Sequence, residues 1–293
     1  MVLESLSSPW KAEQRPYMLI LWGAVYAVLA GALALFLFPG DMSSMVMVAL
    51  TAIAAVPLMY NTIKFEEAKE STSLSEKKLL MEHSKAIMVF VMLFLGMTLG
   101  MTLLYLFLPA FVSSGQVSHL FSNQIQTFKT INPGHQITGQ VTGTSGDVFL
   151  KIFMNNLKVL VFCIVFSLLY GAGAMFVLSW NASVIALAIG NVIHTGLVAT
   201  GAALSFGDYF HIIAIQGFSR YFIHGIFEIG AYIIAALAGG IISVAIIKKH
   251  FHGPNVEHVI LDVSDLILAS LVVLTFAAVI EVYITPVLFA NPI

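Results

Sequence analysis

The sequence predicts an all-α, polytopic integral membrane protein of about seven transmembrane helices. Three observations carry this. Of 293 residues, 59% are hydrophobic and only 10% charged, against about 45–50% and about 25% in soluble domains. Mean hydropathy is +0.95. Seven apolar runs are each long enough for a bilayer core of about 30 Å, which takes about 20 helical residues. Too few charges exist to cover a water-soluble globule, which excludes soluble enzymes, disordered linkers and disulfide-stapled secreted domains. Thirteen basic residues against fifteen acidic ones leave no basic patch, so nucleic acid is not an expected partner. The single Cys163 lies in an apolar run and forms no intrachain disulfide.

The runs are roughly 17–38, 43–63, 86–112, 157–179, 183–204, 221–247 and 266–289, and they define spans one to seven. The first is too long for a cleaved signal peptide and reads as an uncleaved span. Basic residues cluster on one side of the alternation: Lys11, Arg15, Lys64, Lys69, Lys77, Lys78, Lys85, Lys248 and Lys249. The expected orientation is therefore N-terminus inside and C-terminus outside. A six-span alternative arises if 43–63 only dips into the bilayer.

Three regions follow. Residues 1–112 hold three spans and an inner helical extension over 64–85, where five Lys and five Glu interleave on a solvated face. Ser73 and Glu76 form a capping box, from which one helix is expected to run into span three and end near Pro109. Gly96 and Gly100 make a GxxxG in that span, read as an internal contact, with a homodimer seam as the alternative. Residues 113–148 form an outer loop. Within it Val117, Leu120, Phe121, Ile125, Phe128 and Ile131 share a stripe that predicts a short amphipathic helix on the outer membrane surface, ended by Asn132-Pro133-Gly134. Residues 149–293 hold four spans. Asp147 is expected to cap the helix leading into span four, with Lys151, Asn155 and Lys158 on its wet face.

A charge near the bilayer centre costs about 2.5–3.5 kcal/mol on insertion scales. Arg220, His224 and Glu228, spaced four and four, share one face of span six, and span seven carries Glu281. Glu228 precedes Lys248 by twenty residues, or about 30 Å of helix. Glu281 lies fifteen residues beyond the predicted start of span seven, about 22 Å. Both carboxylates are expected in the outer half of the membrane. Asn155 and Asn156 enter from the same side, which predicts one intramembrane polar cluster of Arg220, His224, Glu228, Glu281, Asn155 and Asn156. His194 in span five is a weaker member. Pro286 frees the Val282 carbonyl, for which Arg220 or an Asn amide is the expected donor.

The cluster admits three readings: an ion-pair network fixing helix register, a proton or ion pathway, or a metal site, since one His and two Glu are legal zinc ligands. The resident cofactor is expected to be none, with a metal ion on His224, Glu228 and Glu281 as the alternative. His83, His119, His135, His250, His252 and His258 scatter through loops and are expected to face solvent. HExxH, GxSxG, P-loop and GxGxxG signatures are absent from the sequence. Asn181-Ala182-Ser183 matches a glycosylation sequon but falls in a predicted inner turn.

Asn155-Asn156-Leu157-Lys158-Val159, then Gly171, Gly173, Asn181 and Gly190, followed by His224-Gly225-Ile226-Phe227-Glu228, Gly239 and Glu281-Val282-Tyr283-Ile284-Thr285-Pro286, resemble the stage II sporulation protein M family of prokaryotic membrane proteins. The resemblance covers about 149–289. Two positions depart from the family pattern: Ile223 stands where Pro often precedes the HG pair, and Ala182 where Gly usually follows the turn Asn. The resemblance implies a multi-pass protein of the prokaryotic cell envelope and cell membrane. The best-known member anchors two peptidoglycan-degrading partners during spore engulfment; relatives in organisms that form no spores keep sporulation from being carried over. Asn155, Asn156, His224, Gly225, Glu228 and Glu281 are implied as functional or structural core, and Gly96, Gly100, Gly171, Gly173, Gly225 and Gly239 are expected at helix contacts. The leading expectation is a non-enzymatic membrane scaffold for envelope or membrane-remodelling partners, including a homodimer. A proton- or ion-coupled carrier and an intramembrane metal-dependent hydrolase are the alternatives.

Overall fold

The computed structural model describes residues 9–70, 76–131, 145–168, 172–200, 205–247 and 256–289. They are helical, and among them there is no strand. Seven helices are long and apolar enough to cross a membrane: Met18–Leu37, Met42–Phe65, Ser84–Ala110, Ser145–Ser167, Ala174–Ala199, Phe206–Ser243 and Val259–Leu288. The protein is a seven-helix integral membrane protein. The apolar face is not confined to one side of most spans, as expected where lipid rather than water surrounds the bundle.

Backbone approach, not side-chain bulk, sets the first contact. Spans one and three pack in parallel, Gly23 against Leu93 and Met97, Gly96 against Ile20, and Gly100 against Ala24 and Ala27. A Cβ on Gly100 would meet the Ala24 carbonyl oxygen at 2.6 Å, and on Gly96 it would collide with the backbone of Ile20. The GxxxG is thus an internal seam, already filled by span one and closed to a homodimer. Spans four and six join the same way: Gly239 faces the Ile164 carbonyl, Ser167 Oγ donates to the Ala236 carbonyl, and Ser243 Oγ donates to that of Leu168 at 2.7 Å.

Several boundaries differ from the sequence expectation. Span four begins at Ser145, with Asp147 in its first turn, and ends at Ser167; the next helix begins at Ala172. Asn181 therefore lies inside span five and not in a turn. The apolar run from 157 to 204 holds two candidate breaks, and Asn181 is accommodated in the helix because its amide donates to the Val177 carbonyl at 2.8 Å. Spans six and seven start earlier than expected, at Phe206 and Val259. The helix of span two runs on to Glu70, and that of span three starts at Glu76. Ser73 lies outside the described residues.

The 113–131 segment is a further correction. It forms two helices, Ser114–Leu120 and Ser122–Ile131, the first opened by a Ser113–Gln116 capping box. Its stripe does not lie on lipid. Val117, Leu120 and Phe121 are buried against Ala34, Met47 and Leu104 near the ends of three spans and Leu187 in the middle of a fourth, and Phe121 meets Tyr105 edge-on at 5.3 Å. Gln124 is fully buried: it accepts from Ser44 at 2.7 Å and donates to Ser183 at 3.0 Å. An apolar stripe that includes a satisfied amide is better covered by protein than by acyl chains, where the amide would lack partners. His119 pairs with Asp41 at 2.7 Å and both stay exposed.

Candidate functional site: a polar junction of spans four, six and seven

Span six is not a uniform α-helix. Residues His211–Ser219 adopt a π-helix and Arg220–Ile247 are α-helical. Span seven likewise passes into a π-helix over Ile280–Ile284, which contains Glu281. Pro286 explains the second. It cannot donate, and the helix widens so that the N–H and Oγ1 of Thr285 both donate to the Ile280 carbonyl, the hydroxyl at 3.2 Å. These bonds serve the Ile280 carbonyl, not the Val282 carbonyl that the sequence expectation concerned. π-Bulges inside α-helices are frequently found at functional sites.

Asn156 is buried on span four and its Nδ2 donates to Oε1 of Glu228 on span six at 2.5 Å. The carboxyl group of Glu281 on span seven lies beside that of Glu228. One turn away, His224 Nδ1 lies 3.4 Å from Thr285 Oγ1. The ring of Phe227 stands edge-on to Phe276 at 5.1 Å, fixing spans six and seven beside the carboxyl pair. Tyr232, one turn beyond Glu228, is fully buried.

The predicted residues divide accordingly. Asn156, Glu228 and Glu281 meet, and His224 joins them through Thr285. Arg220 lies close to His224 and Tyr221. Asn155 is exposed, because a helix turns about 100° per residue and only one of two adjacent amides can face the bundle. His194 is exposed as well. Gly225 is a correction: it is buried, yet a Cβ there would meet nothing within 4 Å, so no neighbour packs on it. It lines a small apolar hollow with Phe94, Ile185 and Tyr221. Gly171 and the surroundings of Gly173 lie outside the described residues, as do the side chains of His83, His135, His250, His252 and His258. Among the described residues no three His, Cys, Asp or Glu side chains converge as metal ligands; His224 turns to Thr285 instead. Thr285 and the two π-segments escaped sequence reasoning, although Thr-Pro after an intramembrane Glu is a readable signal for the second.

The junction lies within a region that matches a known family. The family model described as Stage II sporulation protein M matches residues 110–286, which takes in spans four to seven and the two docked helices before them. No curated protein and no solved structure matches the chain. With more than half its length under that match, and with Asn156, Glu228 and Glu281 meeting inside it, the chain belongs to the stage II sporulation protein M family.

Proposed function

We propose that this protein is a non-enzymatic scaffold of the prokaryotic cell membrane, on which envelope or membrane-remodelling partners assemble. The observation that carries the reading is the meeting of Asn156, Glu228 and Glu281 across three spans. Polar groups inside a bilayer are commonly satisfied by one another when their role is to fix helix register. Such a junction ties spans four, six and seven in register. The helix ends that run past Phe65 to Glu70 and back from Glu76 are the partner-facing parts, on the side that the lysine bias assigns to the cytoplasm.

A second reading is favoured by one specific feature. Glu281 sits in a π-segment beside Glu228, and intramembrane carboxyl groups are also components of proton relays in carriers. Proteoliposomes containing a pH-sensitive dye separate the two. For a scaffold, wild type and Glu228→Gln show the same proton flux as protein-free vesicles, while Glu228→Gln lowers thermal stability. Proton uptake that requires Glu228 overturns the scaffold and establishes the carrier.

A further inference from the structure

Lys151 and Lys158 run against the lysine bias that orients the chain. Both are exposed on span four, with Asn155 exposed between them. Their spacing of four and three sets all three on one stripe of the Ser145–Ser167 helix. The stripe then changes character. Its next members, Val161, Phe162, Val165 and Phe166, are exposed and wholly apolar, and the two Phe rings stack at 5.8 Å. One uncovered stripe therefore presents two ammonium groups and an amide, followed by about two turns of hydrocarbon.

Long basic side chains near a membrane interface extend toward the headgroups and lay their stems on apolar surface. Water cannot cover the Phe162–Phe166 section of a spanning helix, and a soluble anion cannot satisfy it. A molecule carrying a negative headgroup and an acyl chain matches both sections in order. Even with Asp147 one turn before Lys151, two lysines against one aspartate leave the stripe net positive. We propose that this stripe is a binding site for an anionic phospholipid, its phosphate against Lys151, Asn155 and Lys158 and an acyl chain along the apolar continuation. The site goes beyond the scaffold reading and does not rest on it. It lies on the back of the turn whose inner residue, Asn156, holds Glu228, so the lipid clamps span four at the level of the polar junction.

The test uses the full-length protein in vesicles of equal phosphatidylglycerol and phosphatidylcholine, extracted gently and weighed by native mass spectrometry with its retained lipid. Wild type is expected to retain phosphatidylglycerol preferentially. Each surface-proximal lysine is worth about fivefold in affinity for anionic lipid, so Lys151→Gln/Lys158→Gln should cut the preference by about tenfold or more. Lys151→Arg/Lys158→Arg, which keeps the charge and reports on folding, should retain it. Lys129→Gln, at an exposed lysine outside the stripe, should not change it, nor should millimolar inorganic phosphate. Undiminished preference in the double Gln variant overturns the proposal. So does equal loss in Lys129→Gln, which would mean a general field, or displacement by free phosphate, which would mean a simple anion site.

Discussion

Asn156 Nδ2 donates to Glu228 Oε1 at 2.5 Å while its neighbour Asn155 faces outward from the same helix. Adjacent amides thus have opposite fates. Asn156→Ala leaves a partly buried intramembrane carboxyl oxygen without its donor, which costs about 1–3 kcal/mol. Asn155→Ala touches an exposed side chain and should stay within about 0.5 kcal/mol of wild type. Thermal unfolding of both variants in one detergent checks the contrast; equal effects would mean that the register of span four is wrong by one residue.

The glycines separate in the same way. Gly96→Ala drives a Cβ into the backbone of Ile20, where nothing flexible can yield, and should destabilise by about 1–3 kcal/mol. Gly225→Ala meets open space within 4 Å and should gain about 0.5–1 kcal/mol, because Ala loses less backbone entropy in a helix. Opposite signs in detergent melts are the expected outcome.

Much of this architecture was legible in the sequence, and the misses share a cause. Hydropathy located all seven spans because an unpaired backbone group in lipid costs several kcal/mol, so every crossing must be a long apolar helix. Helix periodicity also brought Glu228 and Asn156 toward one level. It could not say what would cover a stripe. Val117, Leu120 and Phe121 are as apolar as a lipid-facing set, and only tertiary structure shows them packed on Met47 and Leu187. Nor could it choose the break between spans four and five, since Asn181 bonds to its own helix at Val177. The π-segments are likewise silent in hydropathy, being shifts of register within apolar runs.

The docked 114–131 segment is held by two fastenings of different strength. Gln124→Ala removes partners from Ser44 and Ser183 inside the bundle, and each group left unsatisfied there costs about 1–3 kcal/mol. The segment should then become labelled at an introduced cysteine such as Val117→Cys, which in the parent background stays protected by burial. Continued protection in Gln124→Ala would show that the apolar contacts suffice.

Asp41→Asn probes the outer fastening and carries a pH signature. The hydrogen bond from His119 holds the Asp41 carboxyl below its ordinary value of 3.8. A depressed folded value means that the ionised form is favoured by folding. Its contribution is therefore complete above the ordinary carboxylate range and disappears as pH falls through the depressed value. The pair is exposed, so the effect is small. Hydrogen exchange over 114–131 should run slightly faster in Asp41→Asn than in wild type at neutral pH, and the two should converge in acid once the pH has fallen below the depressed value.

The carboxyl pair makes the last prediction. If Glu228 and Glu281 share a proton, each side chain contributes mainly through the other, and their losses cannot add. Glu228→Ala alone and Glu281→Ala alone each strand a partner in the bilayer, whereas the double variant removes both polar groups together. In a double-mutant cycle the pair should therefore cost less than the sum of its parts, by about 0.5–3 kcal/mol. Asn156→Ala should couple to Glu228→Ala in the same sense, and Asn155→Ala should couple to neither. Additivity between Glu228 and Glu281 would separate spans six and seven energetically. The junction would then be two unrelated polar sites, and the register lock on which the scaffold reading depends would be lost.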